Sequence, residues 1–292
     1  MNLFELAKIS KGKLIGESLD VNSFSIDTRT LKPSDTYIAL LGENFDGHDF
    51  ISDALDNGAS AVITSKPISI NIPQIVVSDT HKFLNMIAIH NRKNFKGKLI
   101  GITGTNGKTS TKQIISNLLE NRGLCHNTIG NKNNQIGVPF TLLSLQPKHD
   151  FSVIEIGTSE PGEIEILSNL VKPDIAAITN VSLGHLDGLK DTKSIAEEKG
   201  NIIKFSTDCG VAVLPRDSDF YYFWSENTNA SEQISFGFHQ ESDFRVSDIK
   251  IDINNNLTNF KLCFDNKFEN LSIKGISQYN ALNAALSVAT GL

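Results

Sequence analysis

The chain has 292 residues, 39% apolar and 21% charged, with 27 basic against 33 acidic side chains and a net charge of −6. That length allows two domains with separate cores, no run is apolar enough to cross a bilayer, and the acidic balance excludes a broad nucleic-acid-binding surface, which needs clustered Lys and Arg. Cys125, Cys209 and Cys263 are odd in number and widely spaced, which excludes a disulfide framework or a zinc motif, and Met1 to Lys8 lacks the apolar core of a secretory leader, so a cytoplasmic protein with no membrane or nucleic-acid partner is expected.

In chain order, Leu3, Leu6 and Ala7 fall at helical spacing and predict a short amphipathic helix over 2–9. Ser23 to Asp27 alternates like a strand and leads through Thr28, Arg29 and a Pro33-Ser34-Asp35 turn to an apolar strand over 37–41. A second polar loop, 42–49, carries Asn44 and Asp46. A helix over 50–57, strands over 61–64 and 74–77, and a helix from about Asp79, its N-cap, to about Asn91 complete a small α/β unit, with a boundary near Asn94 to Gly97.

Residues 99–111 organise the rest of the chain. The apolar run Leu99 to Ile102 enters a turn carrying Gly104 and Gly107, and the helical pattern Ile114, Ile115, Leu118, Leu119 comes directly after Lys108-Thr109. A strand, a glycine loop and a helix in that order turn backbone N–H groups and the positive end of a helix dipole toward one point, where a polyphosphate fits. Lys108 can reach terminal phosphate oxygens, and the Thr109 hydroxyl offers Mg²⁺ a hard oxygen. The strict pattern G-x-x-x-x-G-K-[ST] fails, because its first glycine would fall on Ile102, so the loop is a variant with glycines at 101, 104 and 107.

Strands and helices then alternate: strand 151–156 with its single acid Glu155, a helix beginning near Pro161, strand 175–180 ending at a loop with His185, a helix from Asp191 or Thr192 that carries Lys199, and strand 211–214. Residues 234–274 read as antiparallel hairpins, and a last helix spans about 277–289. The prediction is an α/β protein: a small N-terminal α/β domain (1–95) and a central P-loop domain (96–292) with a mostly parallel sheet flanked by helices and appended antiparallel hairpins.

Ligands of open α/β sheets bind beyond the carboxyl ends of the strands, and three strand ends here deliver Lys108 with Thr109, Glu155, and the His185 loop. Taken singly, Glu155 also fits a strand-end acid facing water, His185 a surface histidine, and Lys199 a solvated helix lysine beside Glu197 and Glu198.

The loop Thr-Gly-Thr-Asn-Gly-Lys-Thr at 103–109 is that of the Mur ligases, the ATP-dependent amide-forming family of peptidoglycan synthesis, which the chain resembles along essentially its whole length. Asp27-Thr-Arg, Asp46-Gly-His-Asp-Phe, Glu155-Ile-Gly, Asn180-Val-Ser-Leu-Gly-His-Leu, Glu198-Lys-Gly and Asn280-Ala-Leu-Asn carry the resemblance further. The asparagine-rich stretch Gly130 to Pro139 resembles the branch of the family that adds D-alanyl-D-alanine.

The resemblance implies ATP and Mg²⁺ as cofactors, with UDP-N-acetylmuramoyl-tripeptide and D-alanyl-D-alanine as partners. It implies Gly104, Thr105, Asn106, Gly107, Lys108, Thr109 and Ser110 around the phosphates, Asn280 and Asn283 near the adenine, and Thr109, Glu155 and His185 on Mg²⁺. Lys108 stabilises the transferred phosphoryl group, and a lysine at the place of Lys199 is carbamylated by CO₂ to become a metal ligand or positioner. Thr28, Arg29, Asn44 and Asp46 lie in loops of the kind that hold the UDP end, and Asn133, Asn134 and Gln135 are placed to meet the peptide end. Tyr279 departs from the family, which often has histidine there.

The implied mechanism has two steps: the tripeptide carboxylate attacks the γ-phosphorus of ATP, giving ADP and an acyl phosphate, and the dipeptide amine then attacks that carbonyl and releases phosphate. Family members carry a third, C-terminal domain, so the resemblance implies a chain lacking it, with ligation weak or absent, and a monomer is expected. Two other readings share part of the pattern. Folylpolyglutamate synthase has a similar phosphate loop but no domain of the kind before residue 95, and a nucleotide-binding relative without ligase activity would keep the fold.

Overall fold

The computed structural model describes residues 1–42, 45–182, 191–204 and 210–291. They form two compact units, one of Met1–Asn94 with Leu142–Ser144 and one of Phe95–Thr141 with Leu145–Leu292.

The first unit begins with helix α1 (Leu3–Ser10), which a capping box fixes: Asn2 Oδ1 accepts the Glu5 N–H at 2.9 Å while the Glu5 carboxylate accepts the Asn2 N–H at 2.9 Å. Strands β1 (Lys13–Ile15), β2 (Phe24–Ser25) and β3 (Thr36–Ile38) follow, then a 3₁₀ turn (Gly47–Phe50), α2 (Ile51–Asp56), β4 (Ala61–Thr64), β5 (Gln74–Val76) and α3 (Thr80–Asn94). The sheet runs β1-β5-β4-β3-β2, parallel except for β1. Its core gathers Leu31, Tyr37, Ala39, Ile51, Ala54, Ala59 and Val62. The Asp79 carboxylate accepts the N–H groups of His81 and Lys82, the N-cap role expected of it.

The second unit contains β6 (Lys98–Thr103), α4 (Lys108–Leu119), β7 (Cys125–Asn127), α5 (Gly137–Leu143, whose last two residues are counted with the first unit), β8 (Phe151–Glu155), α6 (Glu163–Val171), β9 (Ile175–Ile178), α7 (Thr192–Lys204), β10 (Val211–Pro215), α8 (Tyr221–Glu226), β11 (Glu232–Gly237), β12 (Phe244–Asp252), β13 (Leu257–Phe264), β14 (Lys267–Lys274) and α9 (Gln278–Gly291). The sheet order is β14-β13-β12-β11-β10-β9-β6-β8-β7, parallel from β7 through β12. Helices α4 and α9 cover one face and α6 and α7 the other, which is why β6 reads as a continuous apolar run rather than an alternating one. Ala281, Ala284, Ala285 and Ala289 give α9 a small-residue face in the core shared with Ile102, Ile115 and Val153.

The mostly parallel sheet flanked by helices is as expected, but the expected hairpins over 234–274 are only partly present. β11 extends the parallel sheet, and β12 pairs parallel with it through Phe236↔Phe244 and Gly237↔Arg245. The short segment 238–243 cannot form a full crossover, so the overlap is limited to the strand ends. Among the described strands of this sheet, β12, β13 and β14 are the antiparallel neighbours. Among the described residues no helix is long and apolar enough to cross a membrane.

Candidate active site

After β8 the chain crosses past β6 to β9, so β6 sits where the strand order reverses, and its carboxyl end opens onto the crevice such sheets use for ligands. Two glycines shape the loop there. Gly104 has φ +151°, and a Cβ on it would lie 1.8 Å from Thr179 Oγ1, while Gly107 has φ +81°, and its Cβ would lie 2.7 Å from Asn283 Oδ1. At Gly104 a side chain would collide with Thr179, and at Gly107 the positive φ strains any residue with a Cβ and the Asn283 amide would have to move aside.

The exit of β9 holds this loop by its backbone. Thr105 N–H donates to Asn180 O at 3.0 Å, Asn106 N–H donates to Asn180 Oδ1 at 3.0 Å, and the Thr179 hydroxyl and Asn180 amide both donate to Asn106 O, at 2.6 and 2.9 Å. Asn106 Nδ2 reaches Ser182 Oγ at 3.3 Å. Thr105 and Asn106 therefore spend their N–H groups on the scaffold, and the N–H groups of Lys108, Thr109 and Ser110, which open α4 and have no acceptor within the helix, are the candidate donors to an anion. The Lys108 ammonium folds back onto Gly104 O and Thr105 O, at 2.8 and 3.0 Å. Burial lowers its pKa, and the Glu155 carboxylate opposes that shift.

Glu155 ends β8 with 1% of its surface exposed. Its Oε2 accepts from Thr109 Oγ1 at 2.9 Å and lies 3.8 Å from Lys112 Nζ, and its Oε1 accepts from Asn133 Nδ2 at 2.8 Å. A water-facing strand-end acid is excluded. Lys199, on α7, is 2% exposed, and burial, reinforced by the Lys108 charge and partly offset by Glu198, pushes its pKa down to about 7. A solvated helix lysine is likewise excluded. Its neighbour Glu198 is also buried, accepting the N–H groups of Gly162 and Ile164 at 2.8 Å each. That carboxylate caps α6, which starts at Glu163, two residues after Pro161 and near the expected start.

The asparagine-rich segment is engaged with its surroundings. Asn133 holds Glu155 through its side chain and the Gly157 N–H through its carbonyl, at 2.8 Å, and Asn134 Oδ1 accepts the Gly137 N–H at 2.9 Å, at the start of α5. Gln135 donates to Glu163 at 3.2 Å. A cleft of about 110 Å³ lies among Lys108, Asn133, Asn134, Gly157, Thr158, Ser159 and Glu163. Asn283 joins the loop at Gly107, whereas Asn280 turns its amide toward Lys274 O at the Gly275 turn.

Within the first unit, Arg29 forms a two-pronged pair with Asp27, at 2.7 and 2.9 Å, its side chain 87% exposed. The Thr28 carbonyl accepts the Asn57 amide at 3.3 Å. Asp46 accepts the His48 N–H at 2.9 Å and its Nδ1 at 2.5 Å, and these bonds hold the carboxyl pKa down. Asn44 and His185 lie outside the described residues. Sequence reading missed Lys112, Thr179 and Glu198 as parts of this centre. The Lys112 signal was its place one helical turn after Lys108, on the same face of α4.

A glycine loop closing on a helix N-terminus, at the switch point of a parallel sheet, defines an α/β domain built to receive an anion. Residues 102–291 match the Mur ligase middle domain and residues 20–93 the Mur ligase family catalytic domain, and the chain belongs to the Mur ligase family. It is 36% identical over 291 residues to the UDP-N-acetylmuramoyl-tripeptide–D-alanyl-D-alanine ligase of Buchnera aphidicola subsp. Acyrthosiphon pisum, covering 99% of this chain and 64% of the relative. The crystal structure of MurF from Acinetobacter baumannii superposes with a TM-score of 0.90 at 29% identity, over 98% of this chain and 63% of that one. MurF ligase from Thermotoga maritima, solved in complex with ADP, gives 0.81 at 29% identity, over 92% and 62%. The chain thus spans somewhat less than two thirds of the length of these relatives.

Proposed function

We propose that this chain is the UDP-substrate-binding part (1–95) and ATP-binding part (96–292) of an ATP-dependent cytoplasmic ligase that joins D-alanyl-D-alanine to UDP-N-acetylmuramoyl-tripeptide. The observation that carries the reading is the convergence of the α4 N-terminus, Lys108, Thr109 and Glu155 on one point, with the Thr109 hydroxyl and Glu155 carboxylate oxygens 2.9 Å apart. Neighbouring oxygens around an octahedral Mg²⁺ at ~2.1 Å are ~3.0 Å apart, so Thr109 Oγ1 and Glu155 Oε2 fit one cation. Bound there, Mg²⁺ would neutralise charge on phosphate oxygens.

The residues of the chain supply the rest. The first-turn N–H groups of α4 orient the polyphosphate, and Lys108 exchanges the Gly104 and Thr105 carbonyls for phosphoryl oxygens, stabilising charge as it builds. Asn283, beside Gly107, lies toward the nucleotide. The cleft bordered by Asn133 and Asn134 receives the peptide carboxylate that becomes the acyl phosphate. Lys199, with its pKa near 7, keeps a neutral fraction whose lone pair can add to CO₂, forming an N–C bond with loss of one proton to solvent and giving a carboxylate-like group.

Calorimetric titration of the 292-residue chain tests the reading. An ATP analogue with Mg²⁺ and UDP-N-acetylmuramoyl-tripeptide should each bind, and Glu155→Gln should abolish the Mg²⁺ dependence of nucleotide binding. Nucleotide binding without tripeptide binding would make the chain a Mur-like nucleotide module with another acceptor. The alternative of folylpolyglutamate synthase is weaker, because residues 20–93 match the Mur family.

A further inference from the structure

Lys112 is the buried cation that this function leaves unused. It lies on α4, one turn beyond Lys108 and three residues after Thr109, with its side chain 4% exposed. Its ammonium donates to Thr128 O at 2.6 Å and to Gly130 O at 3.1 Å, and its remaining direction faces Glu155 Oε2 at 3.8 Å. A lysine has three donors and no acceptor; two are spent on this one stretch of chain, and the charge is paired with the Glu155 carboxylate.

That stretch leads into the asparagine-rich segment. Thr128 is fully buried, its N–H donates to Val153 O at 3.1 Å, and its hydroxyl accepts the Glu155 N–H at 3.0 Å. Gly130 then turns with φ +59°. Three residues on, Asn133 returns to Glu155 Oε1 and to the Gly157 N–H. The path is closed: α4 through Lys112 to the 128–130 turn, through Asn133 to Glu155, and through Thr109 back to α4. Asn133 and Gln135 meet the Glu155 and Glu163 carboxylates through neutral amides further along the loop, and at its base, among the described residues, Lys112 brings a cation. A buried ammonium satisfied by main-chain carbonyls costs desolvation that an apolar side chain would not. Its return is geometric, because those carbonyls belong to the root of the loop that borders the cleft.

We infer that Lys112 is a positioning residue, which seats the 128–130 turn and so sets where Asn133 and Asn134 stand for the acceptor. This rests on the proposed reading in placing the peptide acceptor at that cleft. The glycine loop, held by Thr179, Asn180 and Ser182, does not depend on Lys112, so the two ligands should respond differently to its loss.

The test compares the wild-type chain with Lys112→Met, which keeps length and removes the donors, and Lys112→Gln, which keeps an N–H donor without the charge. Binding of an ATP analogue is measured in EDTA, binding of UDP-N-acetylmuramoyl-tripeptide separately, and hydrogen exchange of residues 129–137 without ligand. Lys112→Met is expected to weaken the tripeptide about tenfold, to leave the nucleotide within about threefold, and to speed exchange over 129–137 while α4 and β8 stay protected. Lys112→Gln should recover most of both losses. Unchanged tripeptide affinity, or equal losses for both ligands, overturns the inference. If the wild-type chain binds no tripeptide, the acceptor reading fails by itself. Exchange then decides the role of Lys112: faster exchange in Lys112→Met that Lys112→Gln reverses upholds it, and unchanged exchange overturns it.

Discussion

The glycine loop and the loops of the first unit carry equally polar candidate residues, yet they are held in opposite ways. Around Gly104–Gly107 the partners come from the exit of β9 and from α9, up to 176 positions from the loop (283 − 107). Around Arg29 and Asp46 the strongest partners, Asp27 and His48, are two residues away. Long-range convergence fixes a constellation that only the folded state can assemble, and the chain bears its entropic cost once, in folding. Short-range pairs such as Arg29 with Asp27 form in any turn, so they keep a side chain ready without saying what it is ready for.

Substitutions can break this contrast or sharpen it. The largest effect is expected for Gly104→Ala, whose Cβ would overlap Thr179 Oγ1 at 1.8 Å, costing roughly 4 kcal/mol of stability, read by denaturant unfolding. A change under about 1 kcal/mol would mean that the β9 exit yields easily and the loop is not locked.

Lys199→Met comes next. The unfolded lysine holds its proton up to the ordinary value of 10.5 while the folded one releases it near 7, so between those values the unfolded state binds more protons and stability rises with pH. The wild type should gain on the order of 3 kcal/mol relative to Lys199→Met between about pH 6.5 and 10. Parallel pH profiles for the two proteins would show that Lys199 is not held in a desolvated site.

Lys108→Ala is expected to weaken nucleotide binding by about 10- to 100-fold, the worth of a charge-assisted bond to phosphate, with the tripeptide little affected. Calorimetry distinguishes this from a general loss of fold. The smallest effect belongs to Arg29→Ala. Its side chain is 87% exposed, so the melting temperature should not move, while tripeptide affinity falls about fivefold. An unchanged affinity would leave the Asp27–Arg29 pair a turn ornament and remove it from the substrate loops.

Much of the fold was legible because its signals are local. An apolar strand, two glycines and a helical period predict β6, the loop and α4 within a residue or two. The parallel placement of β11 was not, because Ile234 to Phe238 has the same alternation whether its neighbour runs with it or against it, and α8, a helix of six residues, left too weak a period to announce a crossover. In the candidate site, Lys108, Thr109 and Glu155 stood out by motif and by the oddity of one acid in an apolar strand. Lys112 and Glu198 did not, since charged residues on helices are usually solvated, and nothing in their neighbours along the chain says which helix face a second element will cover.

The sequence by itself determined the glycine loop, the alternation of strands and helices, and the membership of residues 103–109 in a phosphate-loop pattern, because backbone freedom and hydrophobic period are properties of short windows. Only the tertiary structure decided that Thr179 and Asn180 clamp that loop, that Glu155 is shared by Thr109, Asn133 and Lys112, and that Lys199 is buried near the Lys108 charge. Those are outcomes of packing, in which desolvation and charge proximity depend on groups that meet only when separate strands close into one sheet.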